Sequence, residues 1–304
     1  MNGFICIDKP SGPSSFAVVR AARAMLGVKK AGHAGTLDPM ASGLMVIALG
    51  SSTRLLEYLS LEPKIYEFSV TFGRSTDTLD AEGDVVAESA VIPPESRLID
   101  VLKNFTGSIE QIPPRYSAIK IDGARAYDLA RKGVEVEMKP RVVNIYAIEM
   151  CGYDGGEGRA DFTVSCSAGT YIRSLARDIV KAADINAESF VNRLHRTKTG
   201  RFDLSMAADY ASMSDAENYI IDTGSAFGDD EKVIIADRQK IDISRGREIT
   251  IDGIDKNKIG DILIAFDESG FLLAALKKID TNRYHPQKVF YQNTAPMKND
   301  NTYI

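Results

Sequence analysis

Apolar positions in the first two hundred residues follow two different spacings. Alternation with a period of two predicts strands with one buried face, and it is clear over Tyr66–Phe72 and Ala160–Cys166. Spacing of three and four predicts a helix over Val18–Leu26, which Ser14 or Ser15 can cap and Gly27 can end. Weaker patterns predict strands over Phe4–Ile7, Leu44–Leu49 and Tyr116–Ile121, and helices over Ser51–Leu59, Pro94–Phe105, Ala124–Lys132 and Tyr171–Ala182.

The order of these elements indicates the fold class. Strands and helices mix without the regular βα rhythm of a parallel sheet, which favours an α+β fold. The segment Asp209–Glu231 carries seven acidic residues and no Lys or Arg, and we interpret it as a solvated connector. After it, Val233–Phe290 consists of short apolar runs separated by glycines, typical of a small β-barrel or sandwich. We therefore predict domains over 1–230 and 231–292, and a frayed polar tail over 293–304.

The amino-acid composition limits the classes of protein to which this chain can belong. The 304 residues are 44% hydrophobic and 26% charged, as in a soluble globular protein large enough for two domains. The apolar stretch Gly43–Leu49 is far shorter than the roughly 20 residues of a membrane span, and Asp8 to Pro10 interrupt the first apolar run before a signal peptide could form. A cytoplasmic protein is expected. The three cysteines lack zinc-ligand spacing and are expected to be reduced core thiols.

The distribution of charge matters more than its total. A net charge of -5 argues weakly against a nucleic-acid partner. Even so, the segment from Arg115 to Arg141 contains seven Lys and Arg residues and only four acidic residues. A second basic run contains no acidic residue. That run comprises Arg193, His195, Arg196, Lys198 and Arg201. Both stretches could form local phosphate-binding stripes.

The most informative segment is the glycine-rich loop Gly32-His33-Ala34-Gly35-Thr36-Leu37-Asp38-Pro39-Met40-Ala41-Ser42-Gly43. Such a loop lets backbone and a short carboxylate approach a ligand closely, although on spacing alone an ordinary turn with a structural histidine is the better explanation. The whole string closely resembles the active-site motif of the TruB family of pseudouridine synthases. The resemblance implies that Asp38 is the catalytic carboxylate and that His33 contacts RNA near the flipped nucleotide.

Two further strings resemble motifs of the same family. Lys64-Ile65-Tyr66 resembles its K-x-Y strand, which implies that Tyr66 stacks on the flipped base and can accept a proton. Gly169-Thr170-Tyr171-Ile172-Arg173 resembles its G-T-Y-I-R string, which implies that Arg173 pairs with Asp38 and that Tyr171 lines the pocket. Without the family, Tyr66 would read as an ordinary strand aromatic and Arg173 as a solvated helix residue.

Weaker strings supply the remaining candidates. Leu194-His195-Arg196-Thr197 resembles a segment whose leucine packs against the target base, and Pro113–Lys120 resembles one assigned to packing and RNA backbone contact. We accordingly expect Leu194 to pack on the base, and Lys9, Lys120 and Arg196 to contact the substrate, with Arg196 on phosphate. Ser15-Phe16-Ala17 departs from the family's more polar run, which affects secondary RNA contacts only.

The resemblance implies a fold and an activity together. The fold would be a pseudouridine-synthase α+β fold, with a mixed, largely antiparallel sheet flanked by helices and a PUA-like β domain after it. The activity would be isomerisation of uridine 55 in the T-loop of tRNA after base flipping. The enzyme would need no metal and no cofactor, and would act as a cytoplasmic monomer without a membrane or an obligate protein partner. Whether Asp38 attacks C1', attacks C6 or promotes a glycal route stays open.

Three other functions are compatible with parts of the sequence. A guide-RNA-dependent relative shares the motifs, although the short C-terminal module favours a stand-alone enzyme. A tRNA-folding chaperone would bind the same RNA without turnover. A glycosidase would need a second catalytic carboxylate, which these motifs do not supply.

Overall fold

The structure is a computed structural model that describes residues 1–117, 119–121, 123–131, 133–134, 137–253 and 261–291. The predicted tail over 293–304 lies outside these ranges. So do Asp122 of the predicted turn and Lys132 at the end of the predicted helix. Within them, no helix combines the length and the apolar character needed to span a membrane.

An eleven-stranded sheet dominates the first part of the chain. Its central order is β14-β1-β3-β12-β4-β11-β10-β7, and only the pairs β1 with β14 and β3 with β12 are parallel. The sheet is therefore mixed and largely antiparallel, as predicted. The strands up to this point are β1 Gly3–Lys9, β2 Ala31–His33, β3 Ser42–Leu49, β4 Lys64–Phe72, β5 Arg74–Thr76, β6 Val85–Glu88, β7 Gly107–Gln111, β8 Lys120–Ile121, β9 Ala124–Arg125, β10 Arg141–Asp154, β11 Arg159–Cys166, β12 Ser189–Thr199, β13 Phe202–Asp203, β14 Ala207–Asp209 and β15 Ile220–Ile221.

Helices cover one face of this sheet. Ser14 caps the first helix by accepting a hydrogen bond from the amide of Ala17, as the sequence predicts. One core cluster joins this helix and the fourth to the sheet, with Val18, Leu175 and Phe68 among its fully buried members. The helices are α1 Ser15–Met25, α2 Glu95–Leu102, α3 Ala126–Arg131, α4 Ile172–Ala183 and α5 Asp237–Ser244.

The opposite face of the sheet packs on a second, five-stranded sheet. Side chains along β1 alternate, so that Ile5 and Ile7 face the helices while Phe4 and Cys6 join a cluster that includes Phe266 of the second sheet. Burial on both faces explains why β1 and β3 read as continuous apolar runs. The second sheet has the order β16-β18-β19-β20-β17 and comprises β16 Lys232–Ile234, β17 Ile249–Thr250, β18 Ile262–Phe266, β19 Leu272–Lys278 and β20 Arg283–Val289.

The acidic segment before the second sheet is not the solvated connector that its charge suggests. Its residues Ile220 and Ile221 pair with β1, and Phe227 is buried edge-on against Phe4. The acidic side chains instead cap turns, as Asp222 does by accepting from the amides of Gly224 and Ser225. A few apolar residues among the acids therefore decide where this segment lies.

Three smaller expectations also change. The glycine-rich loop begins with a short strand, β2, and the helix predicted over Ser51–Leu59 is a 3-10 helix over Gly50–Tyr58. Of the described residues in the region predicted as a strand from Tyr116, only Lys120–Ile121 form one. Cys6 and Cys166 are buried thiols, as expected, but Cys151 is exposed because it lies on the outer part of β10.

Candidate active site

The loop that carries Asp38 is anchored on both sides of that residue. The hydroxyl of Ser15, at the start of α1, accepts from the amide of Leu37 at 2.8 Å and donates to its carbonyl at 2.7 Å. After Asp38, the buried ammonium of Lys9 donates to the carbonyls of Pro39 at 3.0 Å and Ala41 at 2.5 Å. These bonds join the loop to β1 and α1, so the carboxylate is presented by a rigid support.

Arg173 lies next to Asp38, as the resemblance implies, and it also binds a second carboxylate. Its Nη2 is 2.9 Å from Oδ2 of Asp38, and its Nη1 is 3.2 Å from Oδ2 of Asp80. The guanidinium also donates to the carbonyls of Thr78 at 2.7 Å and Tyr116 at 3.0 Å. Only 4% of the Arg173 side chain is exposed, against 35% for Asp38, so the arginine is a buried support and the carboxylate faces the cavity.

The second carboxylate, Asp80, was missed by the sequence reasoning. Its side chain accepts from the hydroxyl of Thr78 at 2.6 Å and from the amide of Glu82 at 3.0 Å, and it is 4% exposed. The turn before it contains Leu79 with a φ of 63°, a strained conformation for a leucine. The sequence Thr78-Leu79-Asp80 can be recognised as a short polar turn after a strand. Nothing in its spacing, however, indicates that Asp80 pairs with Arg173.

Burial and neighbouring charges act in opposite directions on Asp38. Burial raises the pKa of its carboxyl, the Arg173 guanidinium lowers it, and the nearby negative charge of Asp80 raises it again. Lys9 also lowers the pKa of Asp38, and its own pKa is lowered to about 8 by burial. The ion pair with Arg173 thus favours the ionised form of a group whose surroundings would otherwise favour protonation.

Asp38 and Arg173 lie where two cavities meet, because both residues line both of them. The smaller cavity has a volume of about 300 Å³, and its wall includes the three residues predicted to hold the base, Tyr66, Tyr171 and Leu194. Small-molecule sites start at about this size. The structure therefore brings four separate segments of the chain together around one carboxylate.

The aromatic walls of the smaller cavity are themselves fixed by hydrogen bonds. Tyr171 is paired through its backbone with the buried amide of Gln111, whose Oε1 accepts at 2.8 Å and whose Nε2 donates at 3.1 Å. Burial raises the pKa of the Tyr66 phenol, while the positive charge of the neighbouring Arg196 lowers that pKa. Gln111 is a further supporting residue that no sequence motif indicated.

One glycine determines how closely the motifs can approach. Gly43 pairs with Arg196 where β3 runs parallel to β12, and its φ is 100°. A Cβ at this position would lie 2.2 Å from the carbonyl oxygen of Arg196. Only glycine fits both the conformation and the contact, which holds the loop of Asp38 beside the strand of Leu194.

Two predicted substrate contacts are corrected by burial. Lys9 is 0% exposed, and its ammonium is occupied by protein carbonyls, including that of Pro10 at 2.9 Å. Arg196 is 1% exposed and donates to the carbonyls of Leu44 at 2.8 Å and Gly35 at 3.2 Å. Both cations are held by protein carbonyls inside the loop region, so we expect them to support the loop and not to contact RNA. The side chain of the third predicted contact, Lys120, lies outside the described part of the structure.

The larger cavity, a cleft of about 700 Å³, also includes Asp38 in its wall. His33 lines it, and its Nδ1 accepts from the amide of Gly35 at 3.3 Å. Burial, and then the positive charge of Arg196, lower the pKa of His33, which favours the neutral ring. Across the described residues, no group of three or more His, Cys, Asp or Glu side chains is arranged to hold a metal ion.

Comparison with known proteins gives matches over most of the chain. Residues 23–172 match the family model described as TruB family pseudouridylate synthase (N terminal domain). The tRNA pseudouridine synthase B of Caulobacter sp. (strain K31) is 35% identical over 95% of this chain and 96% of its own length. The protein of that name from Streptococcus pneumoniae serotype 4 is 38% identical, over 95% of this chain and 100% of its own.

Solved structures give a match of similar extent. A chain in the crystal structure of a Cbf5-Nop10-Gar1 complex is 28% identical, with a TM-score of 0.72 over 95% of this chain and 85% of that one. A chain in the structure of an H/ACA RNP bound to a substrate RNA containing 2'-deoxyuridine is 26% identical, with a TM-score of 0.67. The likeness therefore extends through both sheets.

Proposed function

Since this chain belongs to the TruB family of pseudouridylate synthases, we propose that it isomerises uridine to pseudouridine at position 55, in the T-loop of tRNA. The ion pair of Asp38 with Arg173 is the observation that carries the proposal. It puts one partly exposed carboxylate, with a buried counterion, at the junction of a larger and a smaller cavity. That arrangement suits an enzyme that admits RNA on one side and one base on the other.

The reaction breaks the bond from N1 of uracil to C1' of ribose, turns the detached base and closes a bond from C5. Asp38 would supply the nucleophilic or charge-stabilising carboxylate that the first step requires. Arg173 keeps it ionised once the base has displaced water, since a carboxylate without its counterion would be costly there. Tyr66, Tyr171 and Leu194 would retain the detached uracil.

A group must also take the proton from C5. Tyr66 lines the pocket, and the positive charge of the neighbouring Arg196 lowers the pKa of its phenol, so a phenolate that formed in the reaction would lie near a cation. Its pKa is raised overall by burial, so the resting group is the neutral phenol. The phenol would therefore take the proton from C5 only while it passes its own proton to another acceptor, and the carboxylate of Asp38, which lines the same pocket, would be that acceptor once it is released.

The target base must first leave the folded T-loop. Unstacking costs a few kcal/mol, and contacts between protein and phosphates would offset it. His33 lines the cleft beside Asp38 and would occupy the space near the extruded nucleotide. A neutral imidazole suits that role, because it can stack and hydrogen bond without attracting a counterion.

Release of tritium from a T-stem-loop RNA labelled at C5 of its uridines tests the proposal. The wild-type protein should release tritium, and Asp38→Asn should lose turnover while it still binds the RNA. Asp100→Asn is the matched control, since Asp100 is an exposed carboxylate on α2 that lines neither cavity. A wild-type protein that binds the RNA but releases no tritium would be the chaperone considered above.

We further propose that the chain acts as a cytoplasmic monomer, without a guide RNA or a protein partner. The relatives named tRNA pseudouridine synthase B match it nearly end to end, and the described motifs supply a carboxylate, a counterion and a base pocket from one chain. Turnover by the purified protein on transcribed tRNA, with its mass measured in solution, tests this. A requirement for a second component would contradict it.

The five-stranded sheet would form the second domain, over residues 231–292, as a PUA-like RNA-binding module. It has a core cluster of its own around Ile243, Leu263 and Tyr284. The first domain would then end near residue 230. Limited proteolysis that cleaves between Tyr219 and Lys232 and leaves a stable amino-terminal fragment would support this boundary.

A further inference from the structure

The exposed face of α1 carries an aromatic residue and two arginines in a row. Phe16, Arg20 and Arg23 are separated by four and three residues, so they lie on one side of the helix. The opposite side, which includes Val18, Val19 and Ala22, is buried in the core. Phe16 is 70% exposed, which is unusual for a phenylalanine on a well-packed helix.

The cations of this face are not neutralised by the protein. Within the part of the chain that the structure describes, no ion pair involves Arg20, Arg23, Lys29 or Lys30, and all four are exposed. The sequence contains no Asp or Glu between Asp8 and Asp38, although the whole chain has a net charge of -5. This segment is therefore a positive strip on an acidic protein.

The strip leads to the candidate active site. Phe16 lines the same cleft as Asp38 and His33, at the amino-terminal end of α1. The neighbouring Ser15 is hydrogen bonded to both backbone groups of Leu37, so α1 and the loop of Asp38 form one support. At the other end, Lys29 and Lys30 precede β2, which carries His33.

We infer that Phe16, Arg20 and Arg23, continued by Lys29 and Lys30, form a binding track for the RNA strand that enters the cleft. This inference rests on the proposed function and adds a surface that the motifs do not assign. A base next to the extruded nucleotide stacks on the ring of Phe16, and the following phosphates pair with the two arginines. From Phe16 to Arg23 the helix rises about 10 Å, which is about three nucleotides of one strand.

The chemistry of the strip favours a nucleic acid over a protein partner. An exposed aromatic ring flanked by unpaired guanidinium groups is the combination that binds single-stranded nucleic acid, by stacking and by phosphate contact. The stacking partner also helps extrusion, because it replaces the neighbour that the flanking base loses when uridine leaves the stack.

The arginines are tested through the salt dependence of binding. The double variant Arg20→Ala/Arg23→Ala should bind a T-stem-loop RNA more weakly at low salt, and the slope of log Kd against log salt should fall by about 1.5 for the two lost phosphate contacts. Arg97→Ala is the matched control, because Arg97 is also exposed and unpaired among the described residues, on α2, and should leave the slope unchanged. An unchanged slope in the double variant overturns the track.

Substitutions of Phe16 test whether its ring stacks on a base or makes only an apolar contact. Phe16→Leu should weaken RNA binding roughly tenfold, whereas Phe16→Trp should bind RNA like the wild type, because only an aromatic ring stacks on a base. Tyr219→Leu is the control, since Tyr219 is also an exposed aromatic residue, at 41%, and it lines neither of the two cavities. Equal binding by the Leu and Trp variants of Phe16 would overturn the stacking role.

Failure of the track and failure of the proposed function give different results. A wild-type protein that releases tritium, combined with track variants that bind RNA like the wild type, overturns the track alone. A wild-type protein that releases none overturns the proposed function, and the track inferred from it as well.

Discussion

Arg173 meets Asp38 with its Nη2 atom 2.9 Å from Oδ2, and this contact joins the first turn of α4 to the loop between β2 and β3. The arginine is the buried partner and the aspartate the partly exposed one. A guanidinium can serve several acceptors at once, and here it binds a second carboxylate and two carbonyls as well. The first prediction follows from that geometry.

Arg173→Lys should lower kcat by about a hundredfold, because the carboxylate of Asp38 loses the partner that orients it, and a misplacement of about 1 Å in a catalytic group has an effect of that size. A lysine ammonium cannot bind Asp38, Asp80 and the two carbonyls in the same directions. Single-turnover rates of pseudouridine formation measure the effect. Arg177→Lys, on the same helix but paired with Asp178 near the surface, is the control and should stay within a few-fold of the wild type. Equal rates for both variants would argue against the buried support.

Asp80→Asn should move the acid limb of the pH profile of kcat to lower pH. Burial raises the pKa of Asp38, and Asp80 adds to that rise, so removing the second negative charge lowers the pKa of Asp38. Asp38 would then stay ionised, and active, at a more acidic pH. Asp178→Asn, a carboxylate on α4 that is paired with Arg177, should leave the limb in place. A limb that moves upward in Asp80→Asn would contradict the prediction.

Lys9→Met should lower the free energy of unfolding by about 3 kcal/mol, because three carbonyls lose a charged hydrogen-bond donor in a buried site. Urea unfolding followed by circular dichroism measures it. Lys277→Met, at an exposed position of β19, should change stability by less than about 0.5 kcal/mol. If the two variants are equally stable, Lys9 does not anchor the loop, and a role on the substrate would have to be reconsidered.

Gly43→Ala should destabilise the protein by about 4 kcal/mol, since it combines an unfavourable φ with a Cβ placed against the backbone of Arg196. Gly27→Ala separates the two causes. Gly27 also has a positive φ, of 60°, but its Cβ would meet nothing within 4 Å, so the cost should be about 1 to 2 kcal/mol. Thermal unfolding of both variants tests the difference, which disappears if the contact with β12 is unimportant.

Much of the fold follows from local patterns in the sequence. Alternation over Tyr66–Phe72 and the three-and-four spacing of α1 predict a strand and a helix where the structure has them, including the cap at Ser14. These features depend on neighbours along the chain, so the sequence expresses them directly. The glycine-rich string, through its resemblance to a family, also singled out the loop of Asp38 before any geometry was known.

Long-range contacts had to come from the tertiary structure. Arg196 and Arg173 both belong to motif strings, yet their roles differ. Arg196 is buried among carbonyls because β12 lies at the centre of the sheet, whereas Arg173 supports Asp38 because α4 begins at the cleft. Asp80 and Gln111 gain their roles only from the elements that pack beside them. Sequence determined the periodicities and the candidate carboxylate, whereas three-dimensional packing decided which charges are buried, paired or free, because burial and pairing depend on residues distant in the chain.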